Sequence, residues 1–464
     1  ARKRSSSCRV MSSINAARAR SQGSKVGEQA VDAVYKELAD SLPATEFVGY
    51  ETEQAESEVL ALIHDRARVE QLEAGAAGAV VVGSSPFYAE SGGQVGDCGQ
   101  IAVGDARFLV EDTLKPRDGL WVHRGKLEDG TLKVGDRAQL EVDGSARSAT
   151  RRNHSATHLM HLALREVVGP QAMQKGSLVG PDRLRFDYSA STPLSEEQIA
   201  RIEDMVVERV MDNVEVTTDV LPMDAAKERG AIGIFEEKYG DVVRMLTIAD
   251  SIELCGGTHV QRTGDIGAFK ILSDSGIAAG VRRIEAATGD NALQYTRSLE
   301  QELGRAAALL RGSSTDVAEK VQKMIERQKE LARQIDDLKK KLISGGSGDL
   351  TADAREIDGV KVLGALVDVG DPGALRELAD QLRDKLAPAV VALGSPGKGG
   401  KALLVCTVSS DLTKRFQAGK LIKELASVVG GGGGGRPDFA QAGGNDPSKL
   451  GAAVERVYEL VSGA

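Results

Sequence analysis

Aromatic residues make up only 3% of this 464-residue chain, and cysteine is scarcer still, with four in all. Cys8, Cys98, Cys255 and Cys406 stand 90 or more residues apart, too sparse for a disulfide framework and in keeping with a reducing compartment. A cysteine with chemistry is therefore expected to be a metal ligand or a nucleophile. No stretch approaches the ~18–20 uninterrupted apolar residues that span a bilayer, and no signal-peptide core follows the N-terminus, so no membrane partner is expected. Positive charge is not in excess either. Lys+Arg number 59 against 68 Asp+Glu, a formal net charge of −9, which excludes a uniformly basic nucleic-acid coat but leaves room for local patches. Two are present. Arg2, Lys3, Arg4, Arg9, Arg18, Arg20 and Lys25 have no acid among them, and residues 396–436 carry seven basic side chains against Asp411 and Glu424.

What the chain does have is 41% hydrophobic and 27% charged residues, ample for packed cores and, at this length, for roughly three domains. The pattern predicts an α+β multidomain protein. Residues 1–45 read as helical, with Val31, Val34, Tyr35 and Leu38 at helical spacing before Pro43. Residues 46–145 change to short β-type runs at 79–82, 108–110, 120–123 and 138–142 between Gly and Asp turns, the pattern of a small β-barrel or sandwich. Residues 146–290 form an α+β domain, with helices over 151–168 and, capped by Ser195, over 195–211. From Val317 the apolar positions Val321, Met324, Leu331, Ile335, Leu338 and Leu342 alternate in steps of four and three, with Gln328 the one polar seam residue. Residues 291–348 are thus a helical hairpin or, alternatively, an intermolecular coiled coil through which a homodimer would form, ending in a Gly/Ser linker at 344–348. Residues 349–464 alternate buried-strand runs at 360–369, 389–393 and 402–408 with helices at 373–386, 416–429 and 447–462, a C-terminal α/β domain. The chain opens at Ala1 and not at Met, so an upstream part is expected. Its Arg- and Ser-rich start is also similar to an organellar transit peptide, making mitochondrion or chloroplast the alternative to a cytoplasmic location.

Chemistry concentrates in two pairs. His154 and His158 lie four residues apart on one predicted helix face, the separation that two ligands of one metal ion require. Cys255 and His259 repeat the spacing across Gly256 and Gly257, which imply a tight loop aiming a thiolate and an imidazole at one point. Together they make an N₃S set for one Zn²⁺. The alternatives are coincidence and a zinc knot of purely structural role. His161 is expected to support or pack beside the ligands, and His64 and His123 to be surface or barrel residues.

At these residues a family becomes recognisable. Asn153-His-Ser-Ala-Thr-His-Leu159 followed by Glu253-Leu-Cys-Gly-Gly-Thr-His259 resembles the editing domain of alanyl-tRNA synthetases, a motif shared with the threonyl enzymes. Pro86-Phe-Tyr-Ala-Glu-Ser-Gly-Gly-Gln-Val-Gly-Asp97 looks like the Gly-rich segment preceding it. The segments at 174–179, 184–187, 230–232, 237–240 and 280–285 continue the family order. Gly430 to Gly435 with Arg436-Pro-Asp-Phe-Ala-Gln-Ala-Gly-Gly444 is similar to its C-terminal Gly-rich motif. The family's N-terminal aminoacylation domain, which uses ATP, finds no counterpart, so the expectation is a fragment, a separate gene product or a truncated form.

The resemblance implies a zinc-dependent deacylase acting on Ser-tRNA-Ala and Gly-tRNA-Ala, with tRNA-Ala as partner and ATP needed only in the parent ligase. Zinc could act as a Lewis acid or only organise the pocket, since four protein ligands fill a tetrahedral shell. Gln174 and Thr258 are the candidates to pair with a serine hydroxyl, because a pocket that merely fits discriminates only ~10–200-fold. Arg282 and Arg283 are candidates for phosphate contact, or else ion-pair partners of Glu285. Lys414, Arg415, Lys420, Gly433, Gly434, Gly435 and Arg436 are the C-terminal RNA-binding candidates; by composition alone the glycines would be a flexible linker. Two other identities remain open: a free-standing trans-editing protein, and a non-catalytic tRNA-binding or dimerisation module with structural zinc.

Overall fold

The computed structural model describes residues 25–233, 240–345 and 350–463. The basic residues Arg2 to Arg20, the segment Glu237 to Tyr239 and Gly346 to Gly348 of the expected linker lie outside that description. The chain falls into two compact units, Ala1–Glu302 and Leu303–Ala464.

In the first unit six strands close a barrel. Arg137–Val142 pairs antiparallel with both Gly99–Val103 and Gln54–His64, and the ring continues through Ala106–Arg117, Leu120–Asp129 and Ala77–Val82. Closure leaves the barrel without a free edge. Alternation sets its two faces: Leu62, Val80, Ile101, Phe108 and Leu140 fill the interior. Their neighbours Ala61, Ile63, Ala79 and Val81 point outward and bury Leu38 of the helix Lys25–Ser41.

The next helix follows at once. It spans Gly144–Val168 and not the shorter 151–168 that apolar spacing predicts, because the Asp143 carboxylate accepts the amides of Ser145 and Ala146 at 3.0 and 3.1 Å and so caps it about two turns earlier. The Ser195 expectation holds: Ser195 Oγ accepts from Gln198 N–H and Gln198 returns the bond, starting the helix Glu196–Met211. Both helices cover a four-stranded antiparallel sheet in the order Gln174–Val179, Leu184–Ser189, Val281–Thr288, Phe269–Ala278. A smaller sheet, Thr217–Pro222, Val242–Ile248 and Ser251–Leu254, completes the α+β layer. No helix among the described residues is long and apolar enough to cross a membrane.

The second unit carries the heptad helix Val317–Gly345, and its seam is open: Met324, Leu331, Ile335 and Leu338 are exposed. Beyond it six strands order as Arg355–Ile357, Val360–Leu366, Ala389–Pro396, Ala402–Val408, Phe439–Gly444, Gly432–Gly435, with helices Pro372–Leu386, Ala418–Val428 and Leu450–Ser462 packed on them. Here the glycine run departs from its linker composition. Gly432–Gly435 is an edge strand paired with Phe439–Gly444. A Cβ at Gly433 or Gly435 would lie 2.3 or 2.2 Å from a backbone oxygen of that partner strand, so the pairing itself demands glycine there.

Candidate metal centre

One helix and one loop build the centre. His154 and His158, a turn apart on Gly144–Val168, face the loop Cys255 to His259 that leaves the strand Ser251–Leu254. The ligand atoms of His154, His158, Cys255 and His259 all lie within 4.8 Å of one another. Cys255 Sγ sits 3.5 Å from His154 Nε2 and 3.3 Å from His259 Nε2, near the ~3.6 Å that separates sulfur and nitrogen on a tetrahedral zinc with bonds of ~2.3 and ~2.0–2.1 Å.

The outward ring nitrogens are tied off. His154 Nδ1 donates to Gln94 Oε1 at 2.8 Å, His158 Nδ1 to Glu253 Oε2 at 2.8 Å, and His259 Nδ1 lies 3.2 Å from Ser155 Oγ. With Nδ1 engaged, each ring is oriented so that Nε2 faces the common centre, the arrangement metal-ligating histidines adopt. His158 Nε2 is buried and has no hydrogen-bond partner within the protein. A buried ring nitrogen without a partner, facing a thiolate and two imidazoles, fits a metal ion.

Charge agrees with geometry. Burial alone would raise the Cys255 thiol, but the imidazoles of His154, His259 and His158 override it and hold it well below its ordinary value. Glu253, likewise buried, is kept below the usual carboxylate range by His158 and His161. Burial, with His154 beside it, lowers His259 to about 3 and keeps it neutral. His158 resists burial: the Glu253 carboxylate, followed by Cys255, pushes it up to about 10. The two buried anions thus hold a proton on His158 beside them, positive charge that a divalent cation at the converging donors would displace and replace.

Gln94 reaches the centre from the barrel loop. It is fully buried; its Oε1 also accepts Thr258 N–H at 2.9 Å and its Nε2 donates to Thr258 Oγ1 at 2.9 Å. The loop is pinned by Val179 N–H to Gly93 O at 2.7 Å and Val95 N–H to Val179 O at 3.0 Å, with Gly92 and Gly93 at φ +60° and +90°. Behind it Arg147, fully buried, forks onto Asp97 and donates to Gly49 O and Pro86 O at 2.8 and 2.7 Å. On the other side of the ligand loop Arg244 donates to Cys255 O and Gly257 O at 2.9 and 3.0 Å, and Tyr50 donates to Gly256 O at 2.6 Å.

All four sequence-derived ligands and Thr258 therefore meet. His161 supports the centre by donating to Glu253 Oε1 at 3.3 Å. Gln174 begins the strand whose far end, Val179, holds the Gln94 loop, and it takes no part in the hydrogen bonds that join Gln94, Thr258 and the four ligands. Arg282 and Arg283 do form ion pairs, but not with Glu285. Neighbours on a strand point to opposite faces, so Arg282 forks onto Asp274 and Arg283 onto Asp187, its cross-strand partner, while Glu285 meets Arg183. In the second unit Arg415 pairs with Asp358 and Arg436 with Asp438, while Lys414 and Lys420 are exposed. His123 is buried in the barrel against Ser85 and Val80 O. Missed from the sequence were Gln94, Glu253, Tyr50 and Arg244. The first two stood inside the segments 86–97 and 253–259, but neither has a periodic or ligand-type signal.

The chain matches three family models: tRNA synthetases class II (A) over residues 8–146, the threonyl and alanyl tRNA synthetase second additional domain over 243–285, and the DHHA1 domain over 359–463. It is 50% identical over 460 residues to an alanine–tRNA ligase of Sorangium cellulosum, covering 94% of this chain and 50% of that one. With that of Anaeromyxobacter dehalogenans it is 48% identical over 447 residues, 96% of this chain and 49% of the other. The crystal structure of the C-Ala domain from Aquifex aeolicus alanyl-tRNA synthetase is similar at 35% identity and a TM-score of 0.22, over 24% of this chain and 97% of that domain. The chain spans about half the length of the curated relatives it matches.

Proposed function

Because the chain belongs to the alanine–tRNA ligase family over the half it shares with those enzymes, we propose that it carries a zinc-dependent editing centre that hydrolyses serine or glycine wrongly esterified to tRNA-Ala. The observation that carries this is the convergence of four donor atoms within 4.8 Å, three of them imidazole nitrogens fixed from behind by Gln94, Glu253 and Ser155. Zn²⁺ held by His154, His158, Cys255 and His259 would supply Lewis acidity. An ester is already activated, so the protein's own part is alignment and charge stabilisation more than nucleophilic attack.

Gln94 fixes the Thr258 hydroxyl by donating to it, which leaves that hydroxyl's proton available to a substrate oxygen, and Thr258 remains the residue best placed to meet a serine hydroxyl. Gln174 is the second candidate. In the parent ligase, alanine attachment with ATP would belong to the half of the length not spanned here. The second unit would bind tRNA through Lys414, Arg415, Lys420, Arg436 and the backbone of Gly433 to Gly435. Arg282 and Arg283 would have to leave Asp274 and Asp187 to reach phosphate, so they are weaker candidates.

The purified protein should hold one equivalent of zinc and deacylate Ser-tRNA-Ala. A His154→Ala/Cys255→Ala protein that still retains the full equivalent would rule the site out. The completeness of the four-donor shell favours a second reading, structural zinc in a tRNA-binding module. A zinc-loaded protein that binds tRNA-Ala but leaves Ser-tRNA-Ala intact would select it.

A further inference from the structure

Phe47, Tyr50 and Trp121 cluster, with ring centroids 4.9 Å apart for Phe47 and Tyr50 and 6.2 Å for Phe47 and Trp121. Tyr50 is 44% exposed although its hydroxyl is committed to Gly256 O in the ligand loop. The Arg244 guanidinium lies over its ring at 4.2 Å. Arg244 spends hydrogen bonds on two carbonyls of the same loop, yet among the described residues no carboxylate pairs with it. A cation beside the metal centre, layered on an exposed tyrosine and without a carboxylate partner among the described residues, presents both a π surface and a positive charge. Gly256, between them, faces open space: a Cβ there would meet nothing within 4 Å.

From this juxtaposition we propose that the Tyr50–Arg244 pair is the docking point for the unpaired 3′-terminal nucleotide of the RNA that bears the ester. The inference rests on the editing reading above. A single-stranded RNA end is recognised by stacking its bases on aromatic rings or guanidinium planes and by neutralising its phosphates. A free amino acid ester offers neither a base to stack nor a phosphate to neutralise. The terminal base lies against the tyrosine–guanidinium layer, the adjoining phosphate takes the charge of Arg244, and the ester carbon is thereby delivered over the loop Cys255 to His259.

The test uses the zinc-loaded full chain and uncharged tRNA-Ala with 2-aminopurine as the terminal base, so that binding is read whether or not the protein hydrolyses anything. Stacking quenches this fluorophore. Wild type and Tyr50→Phe, which keeps the ring and loses only the bond to Gly256, should both quench it. Tyr50→Leu should lose the quench and weaken binding of this RNA end by roughly 5- to 160-fold, the range of one base–aromatic stack. Arg244→Gln should weaken it too and lower the salt dependence. Zinc content, measured on each variant, identifies any that has lost the ligand loop. Absence of quenching by zinc-loaded wild type, equal quenching by zinc-loaded Tyr50→Leu, or loss of quenching in Tyr50→Phe would overturn the proposal. Quenching without hydrolysis would sink the editing function and leave the docking point standing.

Discussion

A single methyl group at residue 257 should weaken zinc binding at the centre by about 10- to 100-fold. An ideal Cβ built on Gly257 lies 2.1 Å from His154 Cε1, 2.4 Å from His154 Nδ1 and 2.8 Å from Gln94 Oε1. Carbon atoms in contact sit ~3.5–4.0 Å apart, so more than an ångström of overlap must be relieved. His154 has nowhere easy to go: Nδ1 is held by Gln94 and Nε2 points at Cys255. Either the ring tilts and loses its orienting bond, or the loop Cys255 to His259 backs away and carries two ligands with it. Losing such an orienting partner weakens metal binding about 10- to 100-fold, or ~1.4–2.7 kcal/mol. Gly256→Ala is the matched control, since a Cβ there meets nothing. Competition with a chromophoric chelator measures zinc affinity for both, and thermal unfolding of the metal-free proteins shows whether the fold is intact. Wild-type affinity in Gly257→Ala, or equal losses in the two variants, would refute the steric argument.

Three further outcomes concern other parts of the molecule. Asp97→Ala leaves the guanidinium of Arg147, fully buried, without its counter-ion and should destabilise the first unit by ~3–5 kcal/mol; Trp121, the only tryptophan, lies in the barrel and reports the loss by fluorescence, and adding Arg147→Met should restore part of it. Burial lowers His123 from 6.5 to about 4, so the unfolded chain takes up this proton first as pH falls. The barrel should therefore lose about 3 kcal/mol between pH 6.5 and 4 and nothing from this source above pH 6.5; His123→Leu should flatten that slope in urea titrations read by Trp121, and an unchanged slope would dismiss the assignment. Removing residues 350–464, whose stretch 396–436 carries seven basic side chains against two acidic ones, should weaken tRNA binding and reduce the log–log salt slope by roughly 0.7–0.9 for each phosphate no longer neutralised; equal slopes would make the basic stretch a solvated face.

Local rules and the covalent order of the chain carried much of this protein. Spacing of four residues placed His154 with His158 and Cys255 with His259, because one helical turn and one tight glycine loop are local constraints that no distant contact needs to supply. The Ser195 cap, the heptad helix and the C-terminal alternation of strands and helices were legible for the same reason. Where the sequence fell short, the deciding partner was far away along the chain or outside the apolar pattern. Asp143 moved a helix start by about two turns through hydrogen bonds that apolar periodicity does not register. The glycine run from Gly432 became a strand because Phe439–Gly444 offered it an edge so close that no Cβ fits at Gly433 or Gly435. Arg282 and Arg283 took Asp274 and Asp187 in place of Glu285 because cross-strand register, and not sequence proximity, decides which charges meet. The four candidate ligands were thus legible in the sequence, but their aim was not. Gln94 lies 60 residues from His154 and Glu253 lies 95 from His158, and only the folding of barrel, helix and sheet against one another brings those acceptors behind the imidazoles and turns four nitrogen and sulfur atoms toward a single point.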